Sequence, residues 1–345
     1  MKTVAIAIPS LHRPDLTARC IETIQRQTLS HDQWEIVVVE NEARPGQILA
    51  DPLPANTRRM ELRTNEGTTG SINRAVAATE SHYVLLLNND IELEPDYLEK
   101  LVAALDADPC LGFVTGKLLR ATERTHLDGA GDAMLMAGAT YRLGHLDADH
   151  GQFERPMQVL SGCGAAVLYR RDAFVAAGGL DPEFFAYLDD LDLALRVQLL
   201  GFGGFYLPSA VAYHIGSATL GQKLHPRVVE YITRNQIYLI VKDYPQRVFS
   251  KLRRRIVAYQ VLWALFAIRS GGLGPYLRGL RTGLGNRSSM RKKRAELLSE
   301  RQISDDTFLQ KLGASEQQIY EWHLSQPAQC RSRLLNLYFR LFTRA

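Results

Sequence analysis

The stretch that most limits the fold of this chain is Val84-Leu85-Leu86-Leu87-Asn88-Asn89-Asp90. Four apolar residues, bounded on the far side by a polar triplet, form the run expected of a strand buried on both faces of a parallel sheet. Such a strand needs helices on both sides, so the chain reads as an α/β protein. In open α/β sheets, ligands bind just beyond the carboxyl ends of the strands. Asp90 follows one of those ends and is placed to hold a metal-bound phosphate. A strand followed by an ordinary polar turn is the alternative.

The flanking sequence repeats the pattern. Strands are predicted at Thr3 to Pro9, Trp34 to Glu40, Arg59 to Arg63 and Leu111 to Thr115. Helices are predicted at Pro14 to Gln27, Thr69 to Thr79 and Pro95 to Ala107, with Pro14 and Pro95 near helix starts. This alternation implies a mostly parallel, three-layered sheet. From Gly116 to Leu160 the texture turns Gly-, Asp- and His-rich, and it reads as an excursion over the active edge. A Gly-interrupted strand (Gln158 to Tyr169), a strongly periodic helix (Asp189 to Leu200) and two short strands (Gly204 to Leu207, Ala210 to His214) follow. The expected organisation is a catalytic domain over 1–222, with 116–160 crossing its site, and a basic helical region over 223–345.

Four loops should converge at the strand ends: Ile8-Pro9-Ser10-Leu11-His12-Arg13, Glu40-Asn41-Glu42, Asn65-Glu66-Gly67 with Asn73-Arg74, and Asn88-Asn89-Asp90. Together they offer hydrogen-bonding groups for a base and ribose, a helix N-terminus, and a carboxylate for a cation. Neither GxGxxG nor GxxxxGK[ST] occurs, which leaves dinucleotide and P-loop folds unsupported. Asp189 and Asp190 open the periodic helix. Asp residues there serve as caps and complement the macrodipole, and Asp192 with Arg196 fits an i,i+4 ion pair. One of the adjacent pair is also free to act as general base on a sugar hydroxyl. His214 ends a short strand, either as a ligand for a divalent ion or bonded to backbone.

In this order the pieces resemble the family-2 glycosyltransferases of GT-A fold, in the subgroup of bacterial rhamnosyltransferase-like enzymes. The resemblance runs from Val4 to Ser217. It is carried by Leu87-Asn88-Asn89-Asp90 with Pro95, Gly178-Gly179 with Asp181 and Phe184-Phe185, Asp189-Asp190-x-Asp192-Leu193 with Arg196, and Tyr213-His214-x-Gly216-Ser217. It implies a mixed, mostly parallel nucleotide-binding sheet and inverting transfer from a nucleotide-diphosphate sugar with Mn²⁺ or Mg²⁺. On that resemblance Asp90 is the main metal ligand, in a triplet where Asn88 replaces the first Asp of the DxD pattern, and His214 completes the metal site. Asp190 matches the base, beside Asp189. Pro9, Ser10, Arg13, Glu40, Asn65, Asn73 and Asn88 belong to the nucleotide site, and Gly162 and Gly164 let backbone approach the sugar or acceptor. The second strand departs from the family's Asp-Asn with Glu40-Asn41-Glu42, and the absence of QxxRW argues against a processive synthase.

The net charge of +4 hides an asymmetry. From Lys223 to Ala345 there are 23 Lys and Arg against 8 Asp and Glu; the preceding part has 18 against 29. A basic tail on an acidic body fits an anionic surface. Lys251-Leu252-Arg253-Arg254-Arg255 precedes the apolar run Ile256 to Ile268. Near the end, Leu334, Leu335, Tyr338, Leu341 and Phe342 share a helical face among Arg331, Arg333, Arg340 and Arg344. Both read either as helices lying in a membrane interface or as a packed subdomain. The basic clusters lack interleaved aromatics, so nucleic acid is not the expected partner. Four scattered cysteines, no apolar run of about 20 residues and a strand at the N-terminus make the expectation a cytoplasmic protein, peripheral at the inner membrane face, acting on a lipid-linked or polysaccharide acceptor. A nucleotidyltransferase and a catalytically silent glycan- or nucleotide-binding scaffold are the rival readings.

Overall fold

Each apolar run of the N-terminal half becomes a strand in the computed structural model, which describes residues 2–216 and 225–342; Ser217 and Arg344 lie outside them. In chain order the elements are β1 (Lys2–Ser10), α1 (Pro14–Ile24), β2 (Trp34–Glu40), β3 (Thr57–Glu61), α2 (Gly67–Ala77), β4 (Ser81–Leu87), β5 (Ile91–Leu93), α3 (Tyr97–Ala107), β6 (Leu111–Arg120), β7 (Glu123–Gly129), β8 (Asp132–Met134) and β9 (Thr140–Arg142). They continue with β10 (Met157–Gln158), β11 (Ala166–Arg170), α4 (Arg171–Ala176), α5 (Asp189–Leu199), β12 (Gly203–His214), α6 (Pro226–Asp243), α7 (Gln246–Arg269), α8 (Leu273–Gly285), α9 (Arg287–Glu300), α10 (Asp305–Ser325) and α11 (Arg333–Phe342).

The chain divides into two units. The first comprises Met1–Gly131 and Gly144–Ala218, the second Asp132–Leu143 and Thr219–Ala345. In the first, one sheet runs β10-β12-β6-β11-β4-β1-β2-β3, with β5 on β12 and β7 on β6. β1 pairs parallel with β2 and β4, and β2 with β3. β11 is antiparallel to both β4 and β6, and β12 is parallel to β6. Six strands therefore point the same way, and the C-terminal ends of β1, β2, β4 and β12 share one edge. The near-continuous apolar strands are buried on both faces because helices cover both. Val4, Ile6, Ile8, Ile36, Val38, Leu85 and Leu87 pack with Cys20, Ile21 and Ile24 of α1 and Tyr97, Leu98, Leu101 and Leu105 of α3. The alternate residues of β1 and β2 face α2, whose Ile72, Ala75 and Val76 are buried.

Two elements differ from the sequence reading. The two short strands expected before His214 are one strand, β12, whose register on β6 shifts between Leu207 and Val211. Pro208 falls at that irregularity, where the missing N–H costs no ladder bond. The second is β6, expected at Leu111 to Thr115, which runs on to Arg120 with β7 beside it; farther along, Asp132–Leu143 forms a strand pair that belongs to the second unit.

In that second unit the β8–β9 pair packs with α10. Ser315 Oγ accepts from the Met134 N–H at 2.7 Å, and Glu316 Oε2 from the Met136 N–H at 2.8 Å. The core is aromatic: Tyr238, Tyr244, Tyr259, Trp263, Phe308 and Tyr338 are all buried. α11 buries Leu335, Tyr338 and Phe339 there, while Leu337 and Leu341 stay exposed. Arg255 is tied to Glu316, whereas Arg253 and Arg254 are exposed. No helix among the described residues is long and apolar enough to cross a membrane.

Candidate active site

Two carboxylate-bearing segments meet the common edge. The first is the triplet after β4. Its backbone is pinned by the Asn88 N–H, which donates to Ala165 O at 2.9 Å, and by the start of β5, paired to β12. His214 therefore lies opposite Ile91, next to Asp90. The His214 Nε2 to Asp90 Oδ1 distance is 3.4 Å, and both residues are nearly buried. That separation is longer than a good hydrogen bond. Nδ1 of the same ring lies 2.7 Å from Asp128 Oδ2. Burial by itself would lower the proton affinity of the imidazole, but the bond to Asp128 and then Asp90 override it and lift the pKa to about 9.

The second segment is Phe184 to Asp190. Phe185, Tyr187 and Leu188 all have left-handed backbones, with φ of 65°, 68° and 60°. Three such non-glycine residues in four positions store strain of the kind found at functional sites. The segment also demands a glycine on its neighbour: a Cβ at Gly67, itself at φ 72°, would fall 2.2 Å from Phe185 O. The strained turn delivers Asp189 and Asp190 at the start of α5. Asp190 Oδ2 accepts from the Gly164 N–H at 2.9 Å and Oδ1 from its neighbour's N–H, Leu191, at 2.9 Å. A Cβ on residue 164 would sit 2.8 Å from Asp190 Cβ, so glycine is what permits this approach. Asp189 is buried, and its carboxyl is pushed up to about 8, first by burial and then by the charge of Asp190. Asp192 is enclosed with Arg196, Nη2 to Oδ2 2.5 Å, as the helical spacing suggested.

The remaining sequence-named residues divide by what they touch. Pro9 and Ser10 end β1; Ser10 is buried and its hydroxyl accepts from Thr17 at 3.1 Å. Arg13 pairs with Asp15 at 2.7 Å and lies within the field of Asp90. Glu40 is buried: Oε1 accepts from Leu49 N–H at 2.8 Å and Oε2 has no partner among the described residues. Asn65 Oδ1 accepts from Asn41 Nδ2 and Gly67 N–H, both at 2.9 Å, building the turn into α2. Asn73 commits both ends of its amide to the Leu180 backbone, at 2.7 and 3.0 Å. A Cβ on Gly162 would meet Val167 and Thr115 within the fold. Asn88 is half-buried beside Asp90.

Asp128 was not singled out by sequence. It lies 86 residues from its partner His214 and in the stretch with the weakest periodicity. The one local signal is an acidic residue set in the small and apolar run Leu127-Asp128-Gly129-Ala130-Gly131. Among the described residues no group of three or more His, Cys, Asp and Glu side chains is arranged to hold an ion. The pair Asp90 and His214 offers one hard oxygen and one imidazole nitrogen, a donor set suited to Mn²⁺ or Mg²⁺ when a diphosphate supplies further oxygens.

Residues 5–176 match the glycosyl transferase family 2 domain; Asp189, Asp190 and His214 follow it in the chain. The chain is 31% identical over 208 residues to the O-antigen biosynthesis protein RfbC of Myxococcus xanthus, covering 57% of this chain and 16% of that protein. It is 26% identical over 195 residues to an N-acetylglucosaminyl-diphospho-decaprenol L-rhamnosyltransferase of Mycobacterium tuberculosis, covering 48% and 61%. The chain spans less than two thirds of the length of either relative. Among solved structures, GalNAc-T7 with UDP, GalNAc and Mn²⁺ superposes with a TM-score of 0.64 at 11% identity, over 91% of this chain and 57% of that one. The mannosyltransferase PcManGT of Pyrobaculum calidifontis, with GDP-Man and Mn²⁺, gives 0.50 at 14%, over 93% and 87%. With the family domain spanning the strand ends that lead to Asp90, the chain belongs to glycosyltransferase family 2, and its superposition on these structures gives it the GT-A fold.

Proposed function

We propose that this chain is a metal-dependent, inverting, non-processive glycosyltransferase that moves a sugar from a nucleotide-diphosphate donor to a lipid-linked or surface-polysaccharide acceptor. The observation that carries the reading is the 3.4 Å approach of Asp90 and His214 at the strand edge that also receives Asp190. Asp90 and His214 would hold the ion, which when bound neutralises charge on the departing diphosphate. Arg13 adds positive charge beside Asp90. Asp190 accepts the proton of the acceptor hydroxyl as its oxygen attacks the anomeric carbon and the bond to the diphosphate breaks. Two backbone N–H groups fix that carboxylate and leave lone pairs for the proton. Asp189, holding its own proton near neutral pH, keeps a second charge out of the pair.

The M. tuberculosis relative named for rhamnosyl transfer makes L-rhamnose the first donor sugar to try. A screen of nucleotide sugars with Mn²⁺ should find one that raises the melting temperature and is turned over with release of a nucleoside diphosphate. Release of pyrophosphate would make the chain a nucleotidyltransferase. No turnover of any donor with any glycan acceptor would leave a silent binding scaffold.

For the acceptor side we infer docking on an anionic bilayer through α7 and α8. Val257, Val261, Leu265 and Ile268 form an exposed stripe on α7, and Leu273, Leu277 and Leu284 are exposed on α8. Lys251, Arg253, Arg254, Arg269 and Arg281 are exposed on the same two helices, a charge complement for acidic headgroups. α11 contributes less than its sequence suggests, because half of its apolar face is spent in the core. Reversing Arg253 and Arg254 should weaken flotation with anionic vesicles by about 1 kcal/mol per residue. Binding indifferent to both substitutions and to salt would remove the bilayer from the account.

A further inference from the structure

Asp128 supports one member of the proposed metal site, His214, from outside both motifs. It lies on β7 and is buried, with Oδ2 at 2.7 Å from His214 Nδ1. It sits at the β6–β7 register shift, between Leu127 and Gly129, which pair with Leu119 and Leu118, and His145 Nδ1 is 3.0 Å from its carbonyl oxygen. On the far side of the His214 ring, Nε2 faces Asp90 Oδ1 at 3.4 Å.

We propose that Asp128 is the positioning residue of this site. It holds the His214 ring in plane and, once a divalent cation beside Asp90 has displaced the Nε2 proton to solvent, keeps the remaining proton on Nδ1, so that the Nε2 lone pair faces the cation. The inference rests on the reading of Asp90 and His214 as a ligand pair. An ionised carboxylate can only accept hydrogen bonds, and a neutral imidazole has one N–H and one bare nitrogen. With Asp128 accepting at Nδ1, the bare nitrogen is Nε2. Without it, the two tautomers compete and the ring is free to turn away. Carboxylates that receive the second N–H of a metal-bound histidine have this effect generally, and their loss weakens metal affinity by about 10–100-fold. A residue that only filled space beside His214 would have no need to be an acceptor. Asn fills the same space yet offers an NH₂ that favours the wrong tautomer.

The test uses the full chain with Mn²⁺ alone, free ion being counted by electron paramagnetic resonance. Asp90→Ala and His214→Ala should lose the bound ion. Asp128→Asn should weaken binding about 10–100-fold with a metal-free melting temperature close to that of the unsubstituted chain, and Asp128→Glu should recover part of the loss. Unchanged affinity in Asp128→Asn, alongside loss in Asp90→Ala and His214→Ala, overturns the inference and leaves the ligand pair standing. Unchanged affinity in all three overturns the ligand pair and the inference together. A second measurement needs no substitution. The ¹⁵N ring shifts of His214 in the Mg²⁺-loaded chain should report a proton on Nδ1, and a proton on Nε2 overturns the proposal.

Discussion

Asp90 and Asp190 reach the same edge by opposite means. Asp90 is carried there by regular structure: a parallel strand ends, the backbone is pinned to Ala165, and the next strand begins. No residue from Leu87 to Leu93 has a left-handed backbone. Asp190 is carried by a turn with three left-handed non-glycine residues, held between Gly67 and Gly164, where side chains would collide. A ligand to a cation tolerates a few tenths of an ångström and can be left to a strand end. Asp190, as the proposed general base, must meet its proton within hydrogen-bond reach, and the strain of the turn would serve to fix that position.

The comparison breaks first at the metal. Asp90→Ala should abolish transfer and the metal-dependent part of nucleotide binding, since the carboxylate supplies several kcal/mol of charge stabilisation through the ion. Near-normal activity that resists EDTA would remove the contrast. Asp190→Asn keeps the shape but only one accepting oxygen, so either the Gly164 or the Leu191 N–H loses its partner. Its turnover should fall by roughly 10²–10⁴-fold with donor binding intact. Loss confined to Asp189→Asn would exchange the roles of the two neighbours. Gly164→Ala sharpens the point without touching a carboxylate: the added methyl displaces Asp190, and a shift of about 1 Å should cost about 10²-fold in turnover with little change in donor affinity. Wild-type turnover there would mean the base needs no such precision. The smallest effect is expected from Asp189→Asn, seen in stability more than in rate. The folded carboxyl titrates near 8 against an ordinary 3.8. Between those values the folded chain holds the extra proton, so stability falls as pH rises through the window. Melting curves of Asp189→Asn should be flatter across it, and an unaltered slope would show that the carboxyl is not held neutral.

The same contrast explains what the sequence made legible. β1, β2 and β4 and their helices could be read because apolar runs and 3.6-residue periodicity are local signals. Asp90 followed from its strand. The strained turn could not be read, since nothing in Phe184-Phe185-Ala186-Tyr187-Leu188 announces left-handed backbones; the adjacent carboxylates at a helix start marked the pair, and only the resemblance to the family's acidic pair put Asp190 ahead of Asp189. In sequence β12 reads as two short strands because Pro208 and Ser209 interrupt its pattern. Asn73 is a polar residue in the middle of a predicted helix, which is all the sequence shows; that its amide braces Leu180, 107 residues away, depends on tertiary packing. Asp128 was missed for the same reason.

The strand pair Asp132–Leu143 has a consequence for how this chain can be divided. Its two neighbours in sequence belong to the sheet unit, yet Ala133, Met134, Leu135, Ala137 and Ala139 are buried in the helical one. A chain cut between residues 216 and 225 would yield an N-terminal fragment bearing a missing piece of its partner's core. Each fragment alone would expose apolar surface that the other covers. Truncating the helical region to obtain a smaller enzyme therefore invites aggregation, whereas co-expressing the two fragments is a natural case for complementation.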